Sequence, residues 1–455
     1  MSPRQNVPSS WHDPAGFMIT EDGLYKRVVT QRGSDDHAFY VACGLHEELV
    51  SAGMVLDFQE EPVPVEQRDW ARLLVPEQLA FVSYPWEWSF DELKDAALLT
   101  LELQKRALAY GLSLKDASAY NVQFRGAKPV FIDTLSFERN AGGPWIAYEQ
   151  FCRQFLAPLL MMSYVSPTTN RYLRVDLDGF SLPEVSRLLP VRTWVRSGPL
   201  LHVHLHARAA GRSAGPPSGT DSHAADPKLH LVDSLRNSVE RLPAPTWLSA
   251  WTNYYEETRF YTAEAAESKQ AAVRELTSEL RPAMAFDLGA NTGLLAQLLA
   301  ADGVTCIAFD RDAGCINRLY VEERRRPNSR ILPLVMDLAN PSPALGFGLN
   351  ATLSLFDRPP ADLVLCLALI HHLHFTERLP LLRIASFLAR LGRWLLIEFV
   401  PREDPAADIL RHGRDDFEDY TPALFLESFG EHYHLRKQKP VASSMRILYL
   451  FERRA

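Results

Sequence analysis

The stretch Asp287-Leu-Gly289-Ala-Asn291-Thr-Gly293 decides the fold of this chain. It closes a short apolar run, 283–288, and leads into a helical pattern, 293–301. Working outward, 304–309 reads as a second strand and 313–325 as a second helix. Residues 331–336, 363–369 and 394–399 read as further strands with helical sequence between them. Strands alternating with helices predict a parallel, doubly wound α/β sheet. The tail changes character, because 434–441 and 446–452 read as two strands joined by an Ala-Ser-Ser turn. That pattern predicts an antiparallel hairpin closing the sheet.

Nucleotide-like ligands bind an open parallel sheet at the carboxyl ends of its strands. Glycines in the loop allow positive φ and let the backbone approach a ligand closely. The dinucleotide pattern G-x-G-x-x-G fails here, since counting from Gly289 gives Asn291 and Leu294 at the later glycine positions. The acidic Asp287 would repel a pyrophosphate. It suits a ligand with a cationic amino group and a sulfonium instead. Asp310 ends the second strand, 23 positions after Asp287, where a carboxylate can take both hydroxyls of an adenosine ribose. Asp337, in Met336-Asp-Leu338, ends the third strand and is placed for an adenine amine, with Leu338 beside it. An isolated Asp at a strand end is commonly a turn or cap residue. Three in register behind a glycine loop point to one ligand.

On these residues, and on Leu367-Ala-Leu-Ile-His371-His372-Leu373, the part from about 245 to 455 resembles the class I S-adenosylmethionine-dependent methyltransferases. The whole chain also resembles a bacterial nodulation-protein-like group. The resemblance implies a Rossmann-like class I methyltransferase sheet with a closing antiparallel hairpin. It implies S-adenosylmethionine held by Asp287, Gly289, Asn291, Gly293, Asp310, Asp337 and Leu338. Tyr254, in the aromatic run 251–261, joins this set as part of a lid whose rings attract a sulfonium. The alternative for that run is a helix packing its aromatic stripe on the sheet.

After the fourth strand, where this family faces the transferred methyl, stand His371 and His372. The Asn/Asp-Pro-Pro-Tyr tetrapeptide of many amide and base methyltransferases is absent, which disfavours those acceptors. A histidine there can remove a proton from the acceptor, or it can simply close the adenosine pocket. Glu398 ends the fifth strand and is a second candidate for base or acceptor orientation. No metal is expected at the histidines. The function implied is methyl transfer to a small-molecule acceptor at oxygen, carbon or carboxyl.

Upstream, 19–29 reads as a hairpin, 37–53 and 90–110 as helices, and 129–132 as a strand. Asp116, Asn121 and Asp133 have the spacing of a kinase catalytic loop followed by a metal-binding aspartate. Asp133 and Asn121 would hold a metal there, with Asp116 as the catalytic aspartate. This segment therefore resembles, about over 17–205, a degenerate kinase-like fold, the alternative being an unrelated helical domain in which these Asp and Asn are turn residues. It departs from that pattern in lacking a Gly-rich loop before Lys26, His-Arg before Asp116, and Phe-Gly after Asp133. An α+β N-terminal domain over 1–211, a Gly/Pro-rich linker over 212–228 and the methyltransferase domain over 229–455 are expected. The alternatives are a bifunctional methyltransferase and phosphotransferase, or a cofactor-binding protein without catalysis.

The net charge of -8 disfavours a broad nucleic-acid-binding face. Five scattered cysteines without metal-type spacing fit reduced thiols. No apolar run approaches a membrane span and the first residues lack a signal-type apolar core, so a cytoplasmic protein is expected.

Overall fold

The computed structural model describes residues 4–10, 13–209, 227–247, 263–411 and 417–454. The expected linker falls outside them, apart from its last two residues. The chain packs as two units, Met1–Trp247 with Ala344–Thr352, and Leu248–Pro343 with Leu353–Ala455. The division therefore lies later than residue 229. The reason is the amphipathic helix Pro227–Glu240, which belongs to the first unit. It is tied to the helix Phe90–Ala109 by Lys105–Asp233 at 2.9 Å and Arg236–Glu102 at 2.6 Å.

The first unit opens with an antiparallel sheet. Its strands are β1 (Gln5–Asn6), β2 (Gly16–Glu21), β3 (Leu24–Thr30), β4 (Phe58–Glu61) and β5 (Trp70–Pro76). They lie in the order β1-β2-β3-β5-β4. The helical sequence of 37–53 divides into α1 (Ser34–Ala42) and α2 (Leu45–Ser51). Gly44 at φ +86° breaks it, a conformation that a helix interior does not accommodate. Helix α3 (Phe90–Ala109) starts from a capping box, in which the Ser89 N–H donates to Glu92 at 2.7 Å. Two short antiparallel pairs follow: β6 (Leu112–Leu114) with β9 (Phe137–Arg139), and the hairpin β7 (Val122–Arg125) with β8 (Lys128–Phe131). Helical turns occupy most of 148–209, and α4 (Pro227–Glu240) completes the unit.

The second unit holds a seven-stranded sheet. In chain order its strands are β10 (Met284–Leu288), β11 (Thr305–Asp310), β12 (Ile331–Val335), β13 (Ala361–Cys366), β14 (Gly392–Phe399), β15 (Tyr433–Pro440) and β16 (Ile447–Arg453). Across the sheet the order is β12-β11-β10-β13-β14-β16-β15. β10 to β14 run parallel, whereas β16 is antiparallel to β14 and pairs with β15 in an antiparallel hairpin. Parallel neighbours require crossovers. Helices α5 (Ala263–Thr277), α6 (Leu294–Ala301), α7 (Ala313–Glu323), α8 (Ile370–Phe375) and α9 (Leu381–Ala389) stand before and between these strands. From β10 the chain winds outward to β11 and β12, then returns to β13 on the other side of β10. The order therefore reverses between β10 and β13, and a crevice opens there at their carboxyl ends.

Among the described residues no helix is long and apolar enough to cross a membrane. The cysteines are all free, and four of the five are buried.

Candidate functional site

The loop 289–293 leaves β10 at the point of reversal. Gly289 and Gly293 take φ +74° and +82°, and Asn291 takes +52°. Gly293 is the N-cap of α6, and a Cβ there would lie 2.4 Å from Leu319 Cδ1 of α7. The glycine thus lets α6 pack tightly on its neighbour. On the other side of the crevice Ala368 also has positive φ, +53°. Two non-glycine residues held in that region, on facing loops, are strain of the kind that collects at working sites. A Cβ on Gly289 would meet the Leu369 side chain at 3.3 Å, so the two loops are in contact.

Asp287 points into the protein at the end of β10 and is 3% exposed. Its Oδ2 has no hydrogen-bond partner among the described residues. Burial pushes its carboxyl up to about 7, against a hydrogen bond from the Ala296 backbone N–H and the charge of the nearby Lys269, with Asp310 adding to the rise. Asp310 is half-buried at the end of β11. Its two oxygens accept the backbone N–H groups of Asn291 and Asp312, each at 2.8 Å. Burial also pushes this carboxyl up, to about 6, against those two hydrogen bonds. The Asn291 contact ties the glycine loop to the neighbouring strand. Asp337 follows β12 and accepts the Ala339 N–H at 3.0 Å. Leu338 beside it is half-buried. Asp287, Gly289, Asn291, Gly293, Asp310, Asp337 and Leu338 therefore follow three adjacent strands at one edge of the sheet. Tyr254 lies outside the described residues.

His371 and His372 stand on the short helix α8 rather than on the end of a strand. β13 stops at Cys366 because the chain turns at Ala368. The two rings lie 4.4 Å apart. His371 is fully buried, and its Nδ1 has no hydrogen-bond partner among the described residues. Burial holds His371 well below its usual range, helped by the charges of His372, Arg446 and Lys269. Burial likewise brings His372 down to about 4, with Arg311 and Arg446 adding to the shift. Both rings are neutral at pH 7. Glu398 is 0% exposed, and its Oε2 accepts from Lys269 Nζ at 2.7 Å. Arg446 lies 3.8 Å from its other oxygen and binds Asp404 through two hydrogen bonds of 2.7 and 2.9 Å. The series Lys269, Glu398, Arg446, Asp404 alternates in sign and is almost wholly inside the protein. Sequence reasoning missed Lys269, Arg446 and Asp404, since single charges far apart in the chain carry no spacing signal. Among the described residues no cluster of three or more His, Cys, Asp or Glu could hold a metal ion.

In the first unit, Asp116, Asn121 and Asp133 come together. Asp116 accepts the Ser118 N–H at 2.9 Å and is hydrogen-bonded to the Asn121 and Gln150 side chains. Burial raises its carboxyl above the usual range. Asn121 donates to Ser136 Oγ at 3.3 Å, and Ser136 donates to Asp133 at 2.6 Å. Arg27 of β3 reaches Asp133 at 2.7 Å. Lys26, on the opposite face of that strand, pairs instead with Glu21 and Glu61 at 3.0 and 2.7 Å.

No protein-family model matches the chain. The nodulation protein NoeA of Rhizobium meliloti (strain 1021) is 31% identical over 465 residues, covering 98% of this chain and 96% of that protein. The chain belongs to the NoeA family. The match to that protein runs along nearly the whole length of both chains. Among solved structures, WbdD is 18% identical over 46% of this chain and 43% of its own, with a TM-score of 0.31. The N-methyltransferase NodS from Bradyrhizobium japonicum WM9 is 11% identical over 42% and 98%, with a TM-score of 0.33. The magnesium protoporphyrin IX methyltransferase ChlM from Synechocystis PCC 6803 is 17% identical over 45% and 94%, again at 0.33.

Proposed function

We propose that the second unit is a class I methyltransferase that uses S-adenosylmethionine to methylate a small-molecule acceptor at oxygen, carbon or carboxyl. The observation that carries this reading is Asp287. It is a buried carboxyl whose Oδ2 has no hydrogen-bond partner among the described residues, at the mouth of a glycine loop, beside Asp310 on the next strand. A cationic amino group supplies what that oxygen lacks, whereas a pyrophosphate would be repelled. Asp310 retains lone pairs beyond its two backbone contacts, since a carboxylate offers about four acceptor sites. It therefore fits the two ribose hydroxyls. Asp337 and Leu338 border the base, and Tyr254 is assigned to the sulfonium side.

The bound cofactor brings a methyl group already activated for displacement. The protein aligns the acceptor and excludes water. His371 and His372, neutral and weakly basic, border the reacting side. We assign them to shaping the pocket and accepting a hydrogen bond from the acceptor. Glu398, paired with Lys269, is assigned to holding that edge in place. The sheet order with its closing hairpin supports this reading, because the class I methyltransferase resemblance implies that arrangement. Calorimetry with S-adenosylhomocysteine tests the reading, and no binding at millimolar ligand rejects it. Asp310→Ala is expected to weaken binding at least tenfold, about 1.4 kcal/mol. Unchanged affinity removes the ribose assignment.

For the first unit the grouping of Asp116, Asn121 and Asp133 favours a kinase-like domain. Magnesium does not fit the arrangement as it stands, because Arg27, Leu135 N–H and Ser136 already engage Asp133. We therefore assign this unit to binding and selecting the acceptor, with no phosphoryl transfer. Magnesium-dependent ATP binding that disappears in Asp133→Ala would restore the bifunctional reading. A cytoplasmic location and a small-molecule partner remain part of the proposal, with neither nucleic acid nor membrane involved.

A further inference from the structure

Helix α5 meets the sheet through Ala265, Ala272, Val273 and Leu276, buried in one cluster with Leu365 and Leu396. Residue 269 lies on the same helical face, four positions from both Ala265 and Val273. On the sheet, Asp287 pairs with Leu365 and Leu365 with Leu396, so the three form one row across β10, β13 and β14. Side chains alternate along a strand, so Glu398, two residues beyond Leu396, shares their face. A lysine that is 8% exposed thus lies over a sheet face carrying two buried carboxylates. Burying its ammonium is costly unless it is paired, and the 2.7 Å contact to Glu398 provides one partner. The other carboxylate is Asp287, whose Oδ2 has no hydrogen-bond partner among the described residues. The groups acting on Asp287 are the Ala296 backbone N–H of α6, Lys269 of α5, Asp310 and Cys306 of β11 and, from the other face of the sheet, Cys366 of β13. His371 of α8 faces Lys269 and Arg446 in turn.

We propose that Lys269 is a positioning residue of the cofactor site: steered by Glu398, its ammonium favours the ionised form of the Asp287 carboxyl, the form that takes a cationic amino group. Glu398 then serves to hold Lys269 rather than to take a proton from the acceptor. The ligand in this proposal rests on the methyl-donor reading, whereas the charge of Asp287 can be followed with no ligand at all.

The test uses the full chain labelled with carboxyl carbon-13 aspartate, titrated by NMR without ligand, with the Asp287 signal assigned from Asp287→Asn. Lys269→Met is expected to move the Asp287 midpoint up by about one pH unit or more. Glu398→Gln, which leaves the ammonium to Asp287, is expected to move it down. Lys269→Arg should restore the wild-type curve. Wild-type midpoints in both Lys269→Met and Glu398→Gln overturn the proposal, and if Lys269→Met does not fold, Glu398→Gln decides alone. Calorimetry with S-adenosylhomocysteine gives a second readout. Lys269→Met should lose about fivefold in affinity at pH 7 and little at pH 9, as that shift in ionised fraction requires. An equal loss at both pH values marks a packing role and overturns the proposal. If the wild-type chain binds none of this ligand, the methyl-donor reading fails and the NMR titration still judges Lys269.

Discussion

Asp287 carries opposite consequences for stability and for binding. Burial pushes its carboxyl up to about 7, while an unfolded aspartate titrates near about 3.9. Between those values the folded chain holds a proton that the unfolded chain releases. Stability is therefore greatest at the acid end of the window and falls as pH rises through about 7. Binding of a cationic amino group needs the anion, so affinity rises across the same window. Asp287→Asn should flatten the stability slope between pH 5 and 8, read from urea midpoints, and abolish the pH dependence of S-adenosylhomocysteine affinity. A wild-type slope surviving in the variant would place the titration elsewhere. At this scale the sequence located Asp287, Asp310 and Asp337, because each ends an apolar run at a countable interval. It could not show that Glu398 is paired, since its partner Lys269 lies 129 positions earlier.

The elements that build the site are short and depend on one another. Gly293 caps α6 at φ +82° where any side chain would press on Leu319 of α7. Gly293→Ala should cost about 1–3 kcal/mol, combining backbone strain with repacking of a buried leucine. The expected observation is a lower melting temperature together with weakened ligand binding. An unchanged melting temperature would mean that α6 shifts freely, against the close packing described. Most element boundaries in the second unit were legible because its parallel strands, β10 to β14, are largely continuous apolar runs buried on both faces. The exceptions have local causes: Ala368 turns the chain early and puts His371 and His372 on a helix, and in the first unit Gly44 splits α1 from α2. A backbone dihedral of this kind leaves little trace in hydrophobic periodicity.

The whole molecule holds two compact units with separate cores, and it is expected to unfold in more than one step. S-adenosylhomocysteine at about one hundred times its dissociation constant should stabilise the unit that binds it by about 2.7 kcal/mol. In scanning calorimetry of the full chain one transition should move up and another should stay. A uniform shift of both would show that the ligand acts on the molecule as a single cooperative body. By itself the sequence determined the alternation of strands and helices, the closing hairpin, the glycine loop and the three carboxylates behind it, because these depend on local periodicity and fixed spacing. Tertiary structure alone decided which unit claims the helix Pro227–Glu240, that Arg27 rather than Lys26 reaches Asp133, and that Lys269 lies against Glu398. Those outcomes depend on which faces of distant elements are buried together, and pairing of charges across a core has no periodicity to read.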